Sequence, residues 1–169
     1  MGGALASLYA MKYAGRINKV VLISPGITIS SGYIVKHALQ HNLVQTLFIQ
    51  AGKQTLKARM RNHFHQPDNF SDYYDKATRQ TGREGFWRSL ISTIVNYPED
   101  LLSVLHYYPE GSPRPLIVWG EDDAITAFSD CAQVVEALGA ALFSLADASH
   151  AVHYEYPDIV NARIVDYLG

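Results

Sequence analysis

The chain has 169 residues, 48% of them hydrophobic and 18% charged, with a formal net charge of −2. The composition is that of a globular protein of single-domain length, and its near-neutral charge removes the electrostatic case for nucleic acid or an anionic membrane as the main partner. The one cysteine, Cys131, excludes an internal disulfide framework, and no apolar run reaches the roughly 18–20 residues of a membrane-spanning helix. No basic-then-apolar signal precedes the first element of this sequence. Nothing in the sequence sets a compartment, and the cytoplasm is the default expectation.

The first element is helical. Residues 4–14, ALASLYAMKYA, place Leu5, Leu8 and Met11 on one face with Ala4 beside them, and Gly15 follows as a stop. KVVLIS is a short continuous apolar run closed by Pro25-Gly26, the pattern of a strand buried on both faces in a parallel sheet. From about Tyr33 to Tyr108 the period is helical and the stretch is rich in aromatics. FWRSLISTIVNY is its clearest amphipathic helix. NYPEDLLSVLHYY restarts a helix with Pro98 near the first turn, and PEGSPRP forms a loop.

PLIVWG then reads as a second buried strand, followed by EDDAIT. Residues 129–138 are helical with Gly139 as the stop, and ALFSLAD is a third strand. ASHAVHYEY is a loop, and Pro157 begins a last helix expected to bury Ile159, Val160, Ile164, Val165 and Leu168. Strands alternating with helices predict an α/β fold of parallel strands with crossover helices. The helical insertion after the first strand takes the place of a lid over the strands' C-terminal ends, where ligands of open α/β sheets bind.

Two side chains fall at those ends. Asp123 follows the second strand in WGEDD, and His150 lies in the loop after the third. An acid and an imidazole on successive strand ends suit a pair in which the carboxylate orients the ring and leaves its other nitrogen free as a general base. Alone, Asp123 reads equally as a turn or capping aspartate, and His150 as a solvated loop histidine. His63 and His65 in HFH lie two apart, on different sides of a helix, with no carboxylate or cysteine in sequence to complete a metal set. They read as surface histidines, as do His106 and His153. No metal and no cofactor is expected. The aromatic insertion lacks the basic interleaving of a base-stacking surface, so no nucleic-acid role is expected.

With these residues on the page, the sequence resembles the α/β-hydrolase family. MGGALAS is similar to the tail of the nucleophile elbow Gly-x-Ser-x-Gly, with Met1 as the residue after the serine and Gly2 as the closing glycine. WGEDD resembles the segment of the triad acid and points to Asp123 rather than Asp122. SHAVHYEYPDIVN resembles the histidine loop, with Glu155 and Pro157 five and seven residues after His150; Ser149 stands where a glycine is usual. The order acid then histidine also agrees.

The resemblance implies a partial α/β-hydrolase fold that starts just after the nucleophile serine. The core would be residues 1–32 and 113–169, and the lid residues 33–112. Asp123 and His150 would be catalytic, and the Met1 backbone N–H would donate to the oxyanion. The chain itself supplies no nucleophile: Ser7 lies inside the first helix, Ser24 ends the first strand, and neither is framed by glycines. Met-Gly-Gly resembles the serine branch, because the aspartate branch typically has tryptophan after the nucleophile. The implied parent is a serine hydrolase of an ester, thioester or carbon–carbon bond, with lid aromatics shaping a pocket for a small apolar acyl-type substrate. This chain alone is expected to be inactive. The other readings are a non-catalytic binding module and one half of a split hydrolase, and the nucleotide sequence upstream of the Met1 codon separates them. The exposed edge of KVVLIS is expected to self-associate or to take a partner.

Overall fold

The computed structural model describes residues 1–28 and 32–169. Residues 29–31, at the end of the expected core segment 1–32, lie outside the described residues. The chain divides into two compact units, one of Met1–Ile29, Asn62–His65 and Asp100–Gly169, the other of Ser30–Arg61 and Gln66–Glu99.

The first unit is built on a parallel three-stranded sheet in the order β1 (Val21–Ile23), β2 (Leu116–Gly120), β3 (Ala141–Leu145). Its register pairs Leu22 with Ile117, Ile117 with Leu142 and Gly120 with Leu145. All five residues of the central strand β2 are buried, as a continuous apolar run with a neighbour on each edge requires. Leu116 and Val118 share one face with Ala148, Val152 and Val160. Each of the leucine and valine side chains among them, fully enclosed, contributes about 1.5–3 kcal/mol of hydrophobic stabilisation.

Helix α1 (Gly2–Lys12) packs on β1, and its inward side differs from the expected one. Ala4, Ser7 and Ala10 are buried, while Leu5 is 60% exposed. The helix is apolar on more than one side, so periodicity alone does not choose a face. Close approach chooses it: a Cβ on Gly3 would stand 2.8 Å from Pro25 Cβ, so only small residues fit that side. Ser7 is satisfied there by donating to the Gly3 carbonyl.

After the loop beyond Glu99 come α6 (Leu101–Leu105), α7 (Cys131–Leu138), the short α8 (Val152–Glu155) and α9 (Pro157–Leu168), following α2 to α5 of the second unit. The first turn of α6 is capped by Asp100, whose carboxylate accepts from Ser103 N–H, rather than by Pro98. Helix α7 ends at Gly139 in the left-handed region, as expected. Within the stretch expected to be a loop, α8 forms. In α9 the buried side is Val160 with Ile164 and Tyr167 partly covered; Ile159, Val165 and Leu168 are exposed, because the stripe that meets the sheet is narrower than the apolar sequence.

The second unit contains α2 (Tyr33–Ala38), α3 (Asn42–Met60), α4 (Ser71–Thr81) and α5 (Phe86–Asn96). Leu39, Tyr74, Trp87 and Ile91 are its buried apolar residues. Trp87 lies directly over Gly52 of α3, where an added Cβ would meet the indole ring at 2.4 Å. Among the described residues no helix is long and apolar enough to cross a membrane.

Gly120 is where the strand end meets the histidine loop. A Cβ there would lie 2.3 Å from the Ala148 carbonyl oxygen and 2.4 Å from that of Ser149. Both are backbone atoms that cannot rotate away. Gly120→Ala is therefore expected to destabilise the chain by about 1–3 kcal/mol or more, while Gly2→Ala, with open space around it, leaves stability within about 0.5 kcal/mol. Urea unfolding of the two variants beside the parent measures this; equal midpoints would mean the loop is free to yield.

Candidate functional site

The C-terminal ends of β2 and β3 are tied together through the backbone. Glu121 N–H donates to Leu145 O at 3.0 Å and Asp122 N–H to Ala148 O at 2.9 Å. The chain then turns at Asp123, whose side chain is fully enclosed. Its Oδ1 accepts from the backbone N–H groups of Ile125 and Thr126, both at 2.8 Å. Its Oδ2 accepts from the Thr126 hydroxyl at 2.7 Å and faces His150 Nδ1 at 2.9 Å.

The structure thus brings Asp123 and His150 together and gives the carboxylate four donors. Burial alone pushes the Asp123 carboxyl up. The hydrogen bonds from His150 and from the Thr126 hydroxyl and N–H outweigh burial, and the carboxyl sits below the usual carboxylate range. With Nδ1 carrying the proton toward Asp123, Nε2 of His150 is the ring's acceptor. The imidazole side chain is 26% exposed, open on one side only.

Thr126 was not singled out from the sequence. It is buried, its Oγ1 lies 3.3 Å from His150 Nδ1 as well as on Asp123, and its carbonyl accepts from Trp119 Nε1 at 3.0 Å. A hydroxyl three residues after a turn aspartate is the sequence pattern that marks it.

Met1 directly precedes α1, where its carbonyl accepts from Leu5 N–H. Ser7 is buried in α1. Ser24 is 5% exposed at the end of β1, at φ 43°, with its hydroxyl enclosed and unpartnered among the described residues.

His63 and His65 differ most from their expected surroundings. The His63 ring stands edge-on to His150, with centroids 5.3 Å apart at 73°. Burial, and then the neighbouring His150, hold His63 below the ordinary imidazole range, against an opposing pull from Asp123. Between the two histidines Phe64 is buried, its ring against Tyr154. His65 is exposed and does have carboxylates beside it: Nδ1 lies 2.7 Å from Asp122 Oδ2, and the ligand atoms of His65, Asp122 and Asp147 fall within 4.8 Å of one another.

An α/β protein with a hydrogen-bonded acid and imidazole at the C-terminal ends of adjacent parallel strands is the class these features define. The chain belongs to the alpha/beta hydrolase family, which it matches over residues 1–163. It is 21% identical over 172 residues to a 2-hydroxy-6-oxononadienedioate/2-hydroxy-6-oxononatrienedioate hydrolase of Paraburkholderia phymatum, a match covering 100% of this chain and 60% of that protein. It is 23% identical over 179 residues to a 2-hydroxy-6-oxo-6-phenylhexa-2,4-dienoate hydrolase of Comamonas testosteroni, covering 99% and 60%. The chain therefore spans about 60% of the length of these curated relatives.

Among solved structures, a thermophilic esterase from Thermogutta terrifontis superposes with a TM-score of 0.73 at 18% identity, covering 99% of this chain and 61% of that one. A 2-hydroxy-6-oxo-6-phenylhexa-2,4-dienoate hydrolase from Rhodococcus sp. strain RHA1 gives 0.73 at 16% identity, with the same coverage. These likenesses establish the α/β-hydrolase fold.

Both depressed groups couple stability to pH in the same direction. Asp123 titrates lower folded than unfolded, so its contribution is complete above about pH 5 and is lost as pH falls through its depressed value. His63 is also held low, so its contribution is complete above about pH 6.5 and declines as pH falls toward its folded value. Asp123→Asn is expected to cost about 1–3 kcal/mol near neutrality and to flatten the lower window; His63→Phe flattens only the upper one. Melting temperature against pH checks both, and an Asp123→Asn curve parallel to the parent below about pH 4 would contradict the assignment.

Proposed function

We propose that this chain carries the acid and the base of a serine hydrolase acting on an ester-like or related substrate with an apolar group. The observation that supports this is the 2.9 Å contact between His150 Nδ1 and a fully enclosed, four-donor Asp123 carboxylate. In this reading Asp123 holds the ring in the Nδ1–H tautomer. His150 Nε2 takes the serine proton as the serine oxygen attacks the substrate carbonyl, and returns it to the leaving group. Asp123 stays ionised throughout and stabilises the imidazolium that forms.

The nucleophile in this reading is the serine of an elbow whose tail is Met1-Gly2-Gly3. As a peptide N–H at the head of α1, Met1 would donate to the oxyanion where the helix dipole also favours negative charge. Residues 33–112 are proposed as the lid and residues 1–32 and 113–169 as the core. The relatives' names include an esterase and a hydrolase of a phenyl-bearing oxo-dienoate, consistent with an ester, thioester or carbon–carbon bond as the one cleaved.

The 169-residue chain, which contains no glycine-framed serine, is expected to show no His150-dependent turnover of p-nitrophenyl esters. Turnover abolished by His150→Ala would refute the assignment of the nucleophile to an elbow serine outside these residues.

The same reading gives β1 an open outer edge. Among the described residues Val21–Ile23 pair only with β2, and Leu5 and Tyr9 beside them are 60% and 53% exposed. A short apolar strand edge of this kind is a template for another chain. Analytical ultracentrifugation at tens of micromolar is expected to show dimers or larger species, with Val21→Lys shifting the distribution toward monomer; a stable parent monomer with cooperative unfolding would show the edge to be self-sufficient.

A further inference from the structure

The residues flanking His150 are held by a four-residue segment from a distant part of the chain. Ser149 Oγ donates to Asn62 O at 3.1 Å, and Ala151 N–H donates to His63 O at 2.8 Å. One carboxylate then closes the arrangement. Glu155 Oε2 accepts from Ser149 N–H at 2.7 Å, and its Oε1 accepts from His65 N–H at 2.6 Å. The same side chain thus binds both strands of the clamp through different oxygens, and the His63 ring rests against His150 inside it. Phe64, buried against Tyr154 of α8, anchors the segment from the opposite side.

Backbone N–H groups bonded to a carboxylate are among the stronger hydrogen bonds available to a loop. Here two of them set the distance between residues 65 and 149. We propose that Glu155 is a positioning residue for His150: its carboxylate locks Asn62–His65 against the histidine loop, so that the imidazole's placement depends on this segment. The proposal rests on His150 being the base. Glu155 touches neither substrate nor reacting atoms; it acts through Ser149, Ala151 and the His63 ring.

The test uses hydrogen–deuterium exchange with residue resolution on the 169-residue chain, following the Ala151 amide, together with the Nδ1 proton resonance of the His150 ring by NMR at one fixed pH. The Ala151 amide is informative because it donates to His63 O and not to Glu155. Glu155→Ala is expected to speed its exchange about tenfold, and Glu155→Gln, which keeps one acceptor, by a smaller factor. The His150 Nδ1 proton signal is expected to weaken or disappear in both, as the ring loosens from Asp123. Ser149→Ala, which removes only the Asn62 bond, moves both readouts in the same direction. Folded Glu155→Ala with an unchanged Ala151 rate and an unchanged His150 Nδ1 proton signal overturns the proposal. If that variant does not fold, an unchanged Ala151 rate in both Glu155→Gln and Ser149→Ala overturns it equally. Asp123→Asn is run in parallel: a His150 Nδ1 proton signal that ignores it sinks the acid–base pair, whatever the Glu155 variants do.

Discussion

At the end of β2 the chain has no room for a side chain. Gly120 lies against the carbonyls of Ala148 and Ser149, and the next two residues donate their N–H groups to Leu145 and Ala148. Two loops are thereby joined backbone to backbone before the Asp123 and His150 side chains are placed. The Asp123–His150 bond is worth about 1–3 kcal/mol as a charge-assisted hydrogen bond, whereas ordering each loop residue costs about 1–2 kcal/mol. One bond cannot hold two loops. The parallel register and the close approach at Gly120 hold them, and the carboxylate and imidazole meet because that frame is already in place.

Inside the frame, polar groups are matched rather than merely buried. Asp123 is surrounded by as many donors as its two oxygens readily accept, which keeps it ionised in an enclosed position and fixes its rotation. Thr126 serves twice, through its N–H and its hydroxyl, and its carbonyl takes the Trp119 indole proton. The acid turn is consequently continuous with the buried core of the sheet. His63 brings a ring that prefers to be neutral against His150, so the surroundings of the imidazole do not gain a competing positive charge near neutrality.

Much of this was legible in the residues. The three strands, α5, α7 with its Gly139 stop and the Pro157 start of α9 follow from period and turn chemistry, which are local properties. Asp123 and His150 stand out because strand ends are where α/β folds place polar side chains. The faces of α1 and α9 were not legible, since both helices are apolar over a wider arc than the sheet covers. Nor was the clamp. Asn62 and Ser149 are 87 positions apart, and their bond uses a main-chain carbonyl that every residue possesses. HFH carries no mark that its first ring meets His150 or that its last meets Asp122.

The two tryptophans happen to be distributed one to each compact unit. Trp119 is wholly enclosed in β2, with its indole N–H bonded to Thr126 O and its ring against Phe128. Trp87 is buried over Gly52 among helices, with its indole nitrogen unpartnered among the described residues. Indole emission responds to hydrogen bonding and to surrounding dipoles, so the molecule carries two intrinsic optical labels in different settings. Replacing either with phenylalanine leaves a single-colour reporter: the remaining Trp119 reads the turn that bears Asp123, and the remaining Trp87 reads the helical unit.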